Sequence, residues 1–217
     1  MARLESLRHC CFPLYWLADN FLILCIVQIT IVARTGWPMK KLTIDDLKRD
    51  KKLETLILEA RDAAYWHAYA PYSGFAVGAA ARDKKGNIYR GANLENAAYG
   101  VVMCAEVGAL TAANVHGAFD QLEAIAVVGF GFHPHVDCSQ IVTPCGRCRQ
   151  IIYEASELSK HIDVFACSGD LKQIEQWSIA EMLPRAFGPK TLGIVSPSSP
   201  AKAGMAPFDA NELASQY

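Results

Sequence analysis

The sequence carries no excess charge of either sign: 21 lysines and arginines stand against 22 aspartates and glutamates, for a formal net charge of -1 over 217 residues. It therefore has no basic stripe of the kind that tracks a phosphate backbone, and a nucleic acid polymer is not the expected partner. Its eight cysteines are not spread as a secreted disulfide framework would be. Cys145 and Cys148 form a C-x-x-C pair, and Cys104 stands two residues before a glutamate. Metal thiolates in a reducing, cytoplasmic setting suit that clustering better. Long apolar runs are also scarce, with one exception at residues 12–33, FPLYWLADNFLILCIVQITIVA. Its twelve Leu, Ile, Val and Phe residues favour membrane insertion by roughly 4 to 7 kcal/mol, but a central Asp alone costs about 3 kcal/mol. Asp19, Asn20 and Gln28 thus make insertion marginal, and no small-residue cleavage site follows. Met39 opens MKKLTIDDLKRD, which reads as an ordinary soluble start with a helix cap at Thr43. Residues 1–38 are expected to be a non-native extension, with a membrane anchor or an unusual packed helix as alternatives, so Cys10, Cys11 and Cys25 carry no chemistry.

The remainder holds enough apolar material, with 52% hydrophobic and 20% charged residues overall, for one well-buried domain over 39–194. From residue 195 the chain turns rich in Pro, Ser and Ala and reads as a disordered tail. Within the domain, Leu47, Leu53, Leu56, Ile57, Ala60, Ala64 and Trp66 recur near helical spacing and predict one long amphipathic helix from Ile44 to about Ala70, stopped by Pro71. FAVGAAARD and RGANL read as antiparallel strands joined at Lys85-Gly86-Asn87. A helix from about Val102 to Asn114, the strand EAIAVVG, a helix opening at PCGRCRQIIYEAS and the strand IDVFAC complete the pattern. Alternating helices and strands imply helices on both faces of one sheet, an α/β class.

Cys145 and Cys148 lie three apart just after Pro144, a residue suited to the first turn of a helix, so both sulfurs can point to one side. The positive helix end also favours the thiolate form that a metal needs. Cys104, near the start of the preceding helix, can supply a third sulfur. Three ligands leave one tetrahedral position open, the mark of a catalytic zinc rather than a structural one. Glu106 then becomes a carboxylate beside Zn2+ that does not ligate it, placed to move protons. A lone C-x-x-C is often a structural half-site or a redox pair. The addition of Cys104-Ala105-Glu106 ahead of Pro144-Cys145-Gly146-Arg147-Cys148 matches the recognised three-cysteine signature of zinc nucleobase deaminases.

From about Glu54 to Leu192 the chain resembles the cytidine deaminase family, on PYSGFAVGAA, NLENAAYG, CAE, PCGRCRQ and LPRAFGP taken in order. The resemblance implies a three-layer αβα sandwich around a five-stranded mixed sheet. It also implies a homotetramer, or a homodimer, acting in pyrimidine salvage on a small nucleoside. Asn93 and Glu95 would hold the ribose hydroxyls, and Phe75 would flank the pyrimidine ring. The Ala105 amide would bind the pyrimidine O2, the Thr143 carbonyl would face the leaving amine, and Tyr99 would lie near the ribose 5′ end. Phe187 would stack into a neighbouring subunit's site. Zinc-activated water would attack C4 while Glu106 shuttles protons to N3 and the leaving amine, giving uridine or deoxyuridine and ammonia with no organic cofactor.

Two departures stand out. Three-cysteine family members carry arginine after C-A-E, which offsets the charge of three thiolates, and here the residue is Val107. Arg147, inside the C-x-x-C, is the candidate to balance that charge, with a solvent-facing helix arginine as the bland alternative. A nonpolar residue after C-A-E together with P-C-G-R-C resembles blasticidin S deaminases, the runner-up reading, although Asn93 and Glu95 favour nucleosides. A non-catalytic zinc-binding module is the alternative from another class, and it would assign no role to Glu106. The second departure is the 41-position separation of Cys104 from Cys145, several more than is usual. The surplus, GFGFHPHVDCSQIV, contains His133, His135 and Cys138 and reads as a flexible insertion rather than a second metal site.

Overall fold

The computed structural model describes residues 39–132 and 138–193. The apolar run at 12–33, His133, His135 and the tail from 195 lie outside the described residues. Among the described residues seven strands form one sheet: β1 (Lys40–Leu42), β2 (Phe75–Asp83), β3 (Ile88–Ala92), β4 (Leu122–Gly131), β5 (Ile141–Val142), β6 (Asp163–Ser168) and β7 (Ile174–Ser178). They lie in the order β1-β7-β6-β4-β2-β3, with β5 also paired to β6. Only the β4–β6 pairing is parallel, so the sheet is mixed as the resemblance implied.

The strand count differs from five. The two additional strands are three and two residues long, at the outer edge of β7 and beside the end of β6. Segments that short carry no alternation a sequence could reveal.

Five helices accompany the sheet among the described residues: α1 (Ile44–Arg49), α2 (Lys51–His67), α3 (Ala105–Val115), α4 (Gly146–Ser159) and α5 (Ile179–Met182). The central strands alternate between two cores. Ile125, Val127 and Val164 pack with Ala109, Leu110 and Ile152 of α3 and α4. Ala124, Ala126, Val128 and Phe165 pack with Leu56, Ile57 and Ala60 of α2 on the other face. A strand buried on both sides has no polar face to show, which is why EAIAVVG is apolar throughout.

The single opening helix expected from Ile44 to Ala70 is two. Thr43 caps α1 in a capping box with Asp46, but the helix ends at Asp50. The Asp50 carboxylate accepts from the Lys52 and Leu53 N–H groups, both at 3.0 Å, and so starts α2. An aspartate that can satisfy two orphan N–H groups competes with helix continuation. Trp66 also departs from its expected core role. At the C-terminal end of α2 it is 70% exposed and packs edge-on against Tyr65 with ring centroids 4.6 Å apart.

The helix expected from Val102 begins instead at Ala105, because Leu94 and Met103 pair as an antiparallel bridge and hold the preceding residues extended. The topology then fixes where the chemistry gathers. β3 and β4 both run antiparallel to β2 and therefore point the same way. The chain leaves their carboxyl ends, so α3 and α4 begin at one edge of the sheet, the usual place for a site in such folds.

Candidate metal centre and active site

Cys104 is the N-cap residue of α3 and Cys145 the N-cap residue of α4, each in extended backbone geometry, and Cys148 lies in the first turn of α4. Pro144, fully buried, stands one residue before that cap rather than inside the helix. The three sulfurs lie within 4.8 Å of one another, with Cys104 Sγ to Cys145 Sγ at 3.8 Å and Cys145 Sγ to Cys148 Sγ at 3.5 Å. Tetrahedral zinc with Zn–S bonds of about 2.3 Å requires sulfurs about 3.8 Å apart, so the spacing suits that ion.

The chemistry of the donor set points the same way. Burial pushes the Cys148 thiol up, and the Glu106 carboxylate and the neighbouring sulfurs push it further. Cys104 is raised by burial and by the charges of Cys145 and Glu106. Cys145 is lowered: burial opposes its ionisation, but hydrogen bonds from the Cys148 backbone and from both other thiols outweigh it. Three thiolates this close to a carboxylate call for a cation among them.

Glu106 completes the cluster. It is 4% exposed, one residue into α3, and its side chain meets Cys148. Burial raises its pKa above the ordinary glutamate value, while its own backbone N–H and Cys148 act in the opposite sense. A carboxyl group held in that way can accept a proton and, once protonated, donate it.

The seating of α3 is set by Gly91 in β3. A Cβ there would overlap Ala105 O, Ala109 N and Gly108 C, so only glycine lets the first turn of α3 lie flat on the strand. That contact fixes the height of Cys104 and Glu106 above the sheet.

Around this centre the remaining residues fall into two groups. Asn93 accepts from Val77 N–H and donates to Phe75 O, both at 2.9 Å, and Glu95 accepts from the Tyr72 and Ser73 N–H groups at 2.9 and 3.2 Å. The two side chains thus turn toward the same 72–77 segment, of which half-buried Phe75 is part. Hydrogen bonds from Ser73 and from the Tyr72 amide hold the Glu95 carboxyl below its usual range. Tyr99, 74% exposed, packs edge-on against Tyr72 with centroids 6.0 Å apart. Ala105 is fully buried at the first position of α3, and Thr143 is exposed just before Pro144.

The second group lies on α4 and the segment after α5. Phe187 is 60% exposed, with its carbonyl accepting from Gln150 at 2.8 Å. Arg147 donates to Val102 O at 3.2 Å, which ties α4 to the segment entering Cys104, and no hydrogen bond from it to a sulfur is present among the described residues. Val107 is buried in α3. Sequence reasoning passed over Arg149, which bonds three acceptors around the same turn.

Two helix caps carrying cysteines, a third thiol in the first turn and a buried glutamate beside them define a zinc-dependent hydrolytic centre. The profile of the cytidine and deoxycytidylate deaminase zinc-binding region matches residues 50–162, and the chain belongs to that family. It is 41% identical over 130 residues to the cytidine deaminase of Halalkalibacterium halodurans, covering 60% of this chain and 87% of that protein. It is 39% identical over 140 residues to the cytidine deaminase of Sporosarcina psychrophila, covering 64% and 94%. The crystal structure of a cytidine deaminase from Burkholderia pseudomallei superposes with a TM-score of 0.53 at 37% identity, over 62% of this chain and 98% of that one.

Proposed function

We propose that this chain is a zinc-dependent deaminase of free cytidine and deoxycytidine, converting them with water into uridine or deoxyuridine and ammonia. The observation that carries the reading is the approach of Cys104, Cys145 and Cys148 within 4.8 Å, with Glu106 buried against Cys148. Zinc held by those three sulfurs supplies Lewis acidity and lowers the pKa of water. Glu106 accepts one proton from the attacking water and delivers it to N3 of the ring, then takes the remaining proton of the hydroxyl added at C4 and delivers it to the leaving amine, so that the C4 carbonyl and ammonia form together.

Asn93 and Glu95 read the ribose hydroxyls. Each keeps bonding capacity beyond its contacts to the 72–77 segment: Asn93 has a second amide hydrogen and Glu95 a second oxygen. Phe75 flanks the base, the Ala105 N–H at the head of α3 meets the pyrimidine O2, the Thr143 carbonyl faces the amine, and Tyr99 borders the ribose 5′ end. Phe187, exposed on the segment after α5, reaches a neighbouring subunit in a homotetramer. Arg147, joined to the segment entering Cys104, balances the thiolate charge that Val107 leaves unmet. The enzyme works in pyrimidine salvage in the cytoplasm, where the thiols its site depends on stay reduced. Residues 39–194 make up the catalytic domain.

The decisive experiment starts the protein at Met39, measures bound zinc and follows cytidine, deoxycytidine and blasticidin S by ultraviolet absorbance. Turnover of the two nucleosides with one zinc per chain is expected. Turnover of blasticidin S alone would overturn the substrate assignment, and bound zinc with no turnover of any would mark a binding module. Arg147→Ala is expected to lower turnover strongly while zinc stays bound, and unchanged turnover refutes its charge-balancing role.

A further inference from the structure

We infer that Arg149 is a positioning residue that sets the Thr143-Pro144-Cys145 turn against the C-terminal segment. Arg149 is not needed to build α4, since its backbone N–H makes the ordinary bond to Cys145 O at 2.9 Å. Its side chain does something a helix does not require. Nε donates to Pro144 O at 2.8 Å, one terminal nitrogen donates to Met182 O at 3.1 Å, and the other reaches Thr143 Oγ1 at 3.4 Å. The half-buried guanidinium thus uses all three nitrogens on three acceptors in two segments.

The acceptors are the residues whose placement matters. Fixing Pro144 O fixes the plane of the Pro144–Cys145 peptide, and with it the direction in which Cys145 presents its sulfur to Cys104 and Cys148. The Thr143 side chain, held by the same fork, sets the preceding residue, whose carbonyl is the one assigned to the leaving amine. The third bond braces the turn against Met182, the last residue of α5, and Gln150 next in sequence holds Phe187 O at 2.8 Å. Cys145 is the ligand that most needs such a brace. It is exposed, caps its helix without a side-chain hydrogen bond to the backbone, and follows the insertion at 129–142, whereas Cys148 is buried inside the helix. A planar guanidinium offers several N–H donors in fixed directions, while a lysine ammonium offers donors from a single point and cannot span the three acceptors.

The inference rests on the zinc deaminase reading, and its test separates the two. Arg149→Ala and Arg149→Lys are compared with the native enzyme for steady-state cytidine kinetics, zinc content, thermal unfolding and the rate at which a chelator removes zinc. Misplacement of a reacting group by about 1 Å costs on the order of 10²-fold in rate, so kcat should fall roughly 10- to 100-fold in Arg149→Ala with KM changed less than about threefold. Zinc should still bind, but its release to chelator should quicken about tenfold. Lysine should restore folding without restoring kcat or the release rate, and added guanidinium ion at millimolar concentration should partly restore kcat in Arg149→Ala. Native kcat and native zinc release in either folded variant overturn the inference, as does full rescue by lysine. If Arg149→Ala does not fold, Arg149→Lys alone decides by the same two readouts. Failure of the native protein to deaminate cytidine would count against the proposed function, and the zinc-release comparison would still judge Arg149.

Discussion

Replacing Gly91 by alanine probes the placement of the metal-bearing helix most directly. The added Cβ would lie less than 3.0 Å from Ala105 O, Ala109 N and Gly108 C, all backbone atoms that no rotamer change can move, whereas ordinary contact begins at 3.4 Å. Relief therefore requires α3 to lift from β3 by about an ångström, a shift of the size that overpacked cores make at a cost of about 1–3 kcal/mol. Cys104 caps that helix and Glu106 sits in its first turn, so both move with it. Loss of stability is then the smaller effect. A displacement of about 1 Å in catalytic groups lowers kcat on the order of 10²-fold, although the chain remains mostly folded at 25 °C. The assay is cytidine turnover by ultraviolet absorbance alongside zinc content and thermal unfolding. Native kcat in a folded Gly91→Ala enzyme would refute the reasoning, since α3 would not then be seated through that glycine.

Glu106→Gln keeps the shape of the side chain and removes its basicity, so turnover should fall roughly 10²- to 10⁴-fold while zinc content stays at one per chain; loss of the metal instead would make Glu106 a ligand. Thr43→Ala removes the hydroxyl of the α1 capping box and should cost about 1 kcal/mol in denaturant unfolding with kcat unchanged. Asp83 is 2% exposed and accepts from the Lys85 and Asn87 N–H groups, the Asn87 amide and the Tyr89 hydroxyl; Asp83→Ala strands these donors and should cost about 2–4 kcal/mol. Burial raises the Asp83 pKa, but those bonds prevail and leave it below the ordinary value. A folded-state pKa below the unfolded one gives stability that is full above the unfolded value of about 3.9 and lost as pH falls through the folded value. Acid unfolding of the native protein should therefore be steeper below about pH 4 than that of Asp83→Asn, and coincident profiles would refute the assignment.

What the sequence made legible was what is local. Cys145, Cys148 and Pro144 lie within five residues, and Cys104 and Glu106 within three, so residue type and spacing, joined to a recognised deaminase signature, pointed to the three-cysteine cluster. The strand Phe75–Asp83 was readable because both of its faces are covered and its residues are small and apolar. The break at Asp50 was missed although the apolar period changes phase there: on one continuous helix Leu47 would lie about 120° around from the face of Leu53, Leu56, Ile57, Ala60 and Ala64, and the carboxylate's bonds to Lys52 and Leu53 show what starts the second helix. Trp66 follows Ala64 by two residues and so lies well off the face that α2 buries, on the exposed side of the helix. Arg149 was unreadable for another reason. Two of its acceptors are backbone carbonyls, which every residue carries, and one of them is 33 positions away.

The charge of the centre brings these strands of argument together. Three thiolates and a divalent ion sum to -1, and an ionised Glu106 makes -2. Transfer of a proton from water to Glu106 moves charge within the cluster without changing that total. Cys104 and Cys145 each cap a helix, so the positive ends of α3 and α4 converge on the sulfurs, and each end contributes about half a positive charge. About one negative unit remains. An arginine following Cys104-Ala105-Glu106 would meet that unit from α3. Here Val107 occupies the position, buried against the core, and cannot meet it. Under the proposed function, Arg147, on the first turn of α4 with its guanidinium donating to Val102 O, is the group that meets that unit, and the loss of turnover expected of Arg147→Ala tests it. On that proposal the charge of the site must be judged from both helix ends together.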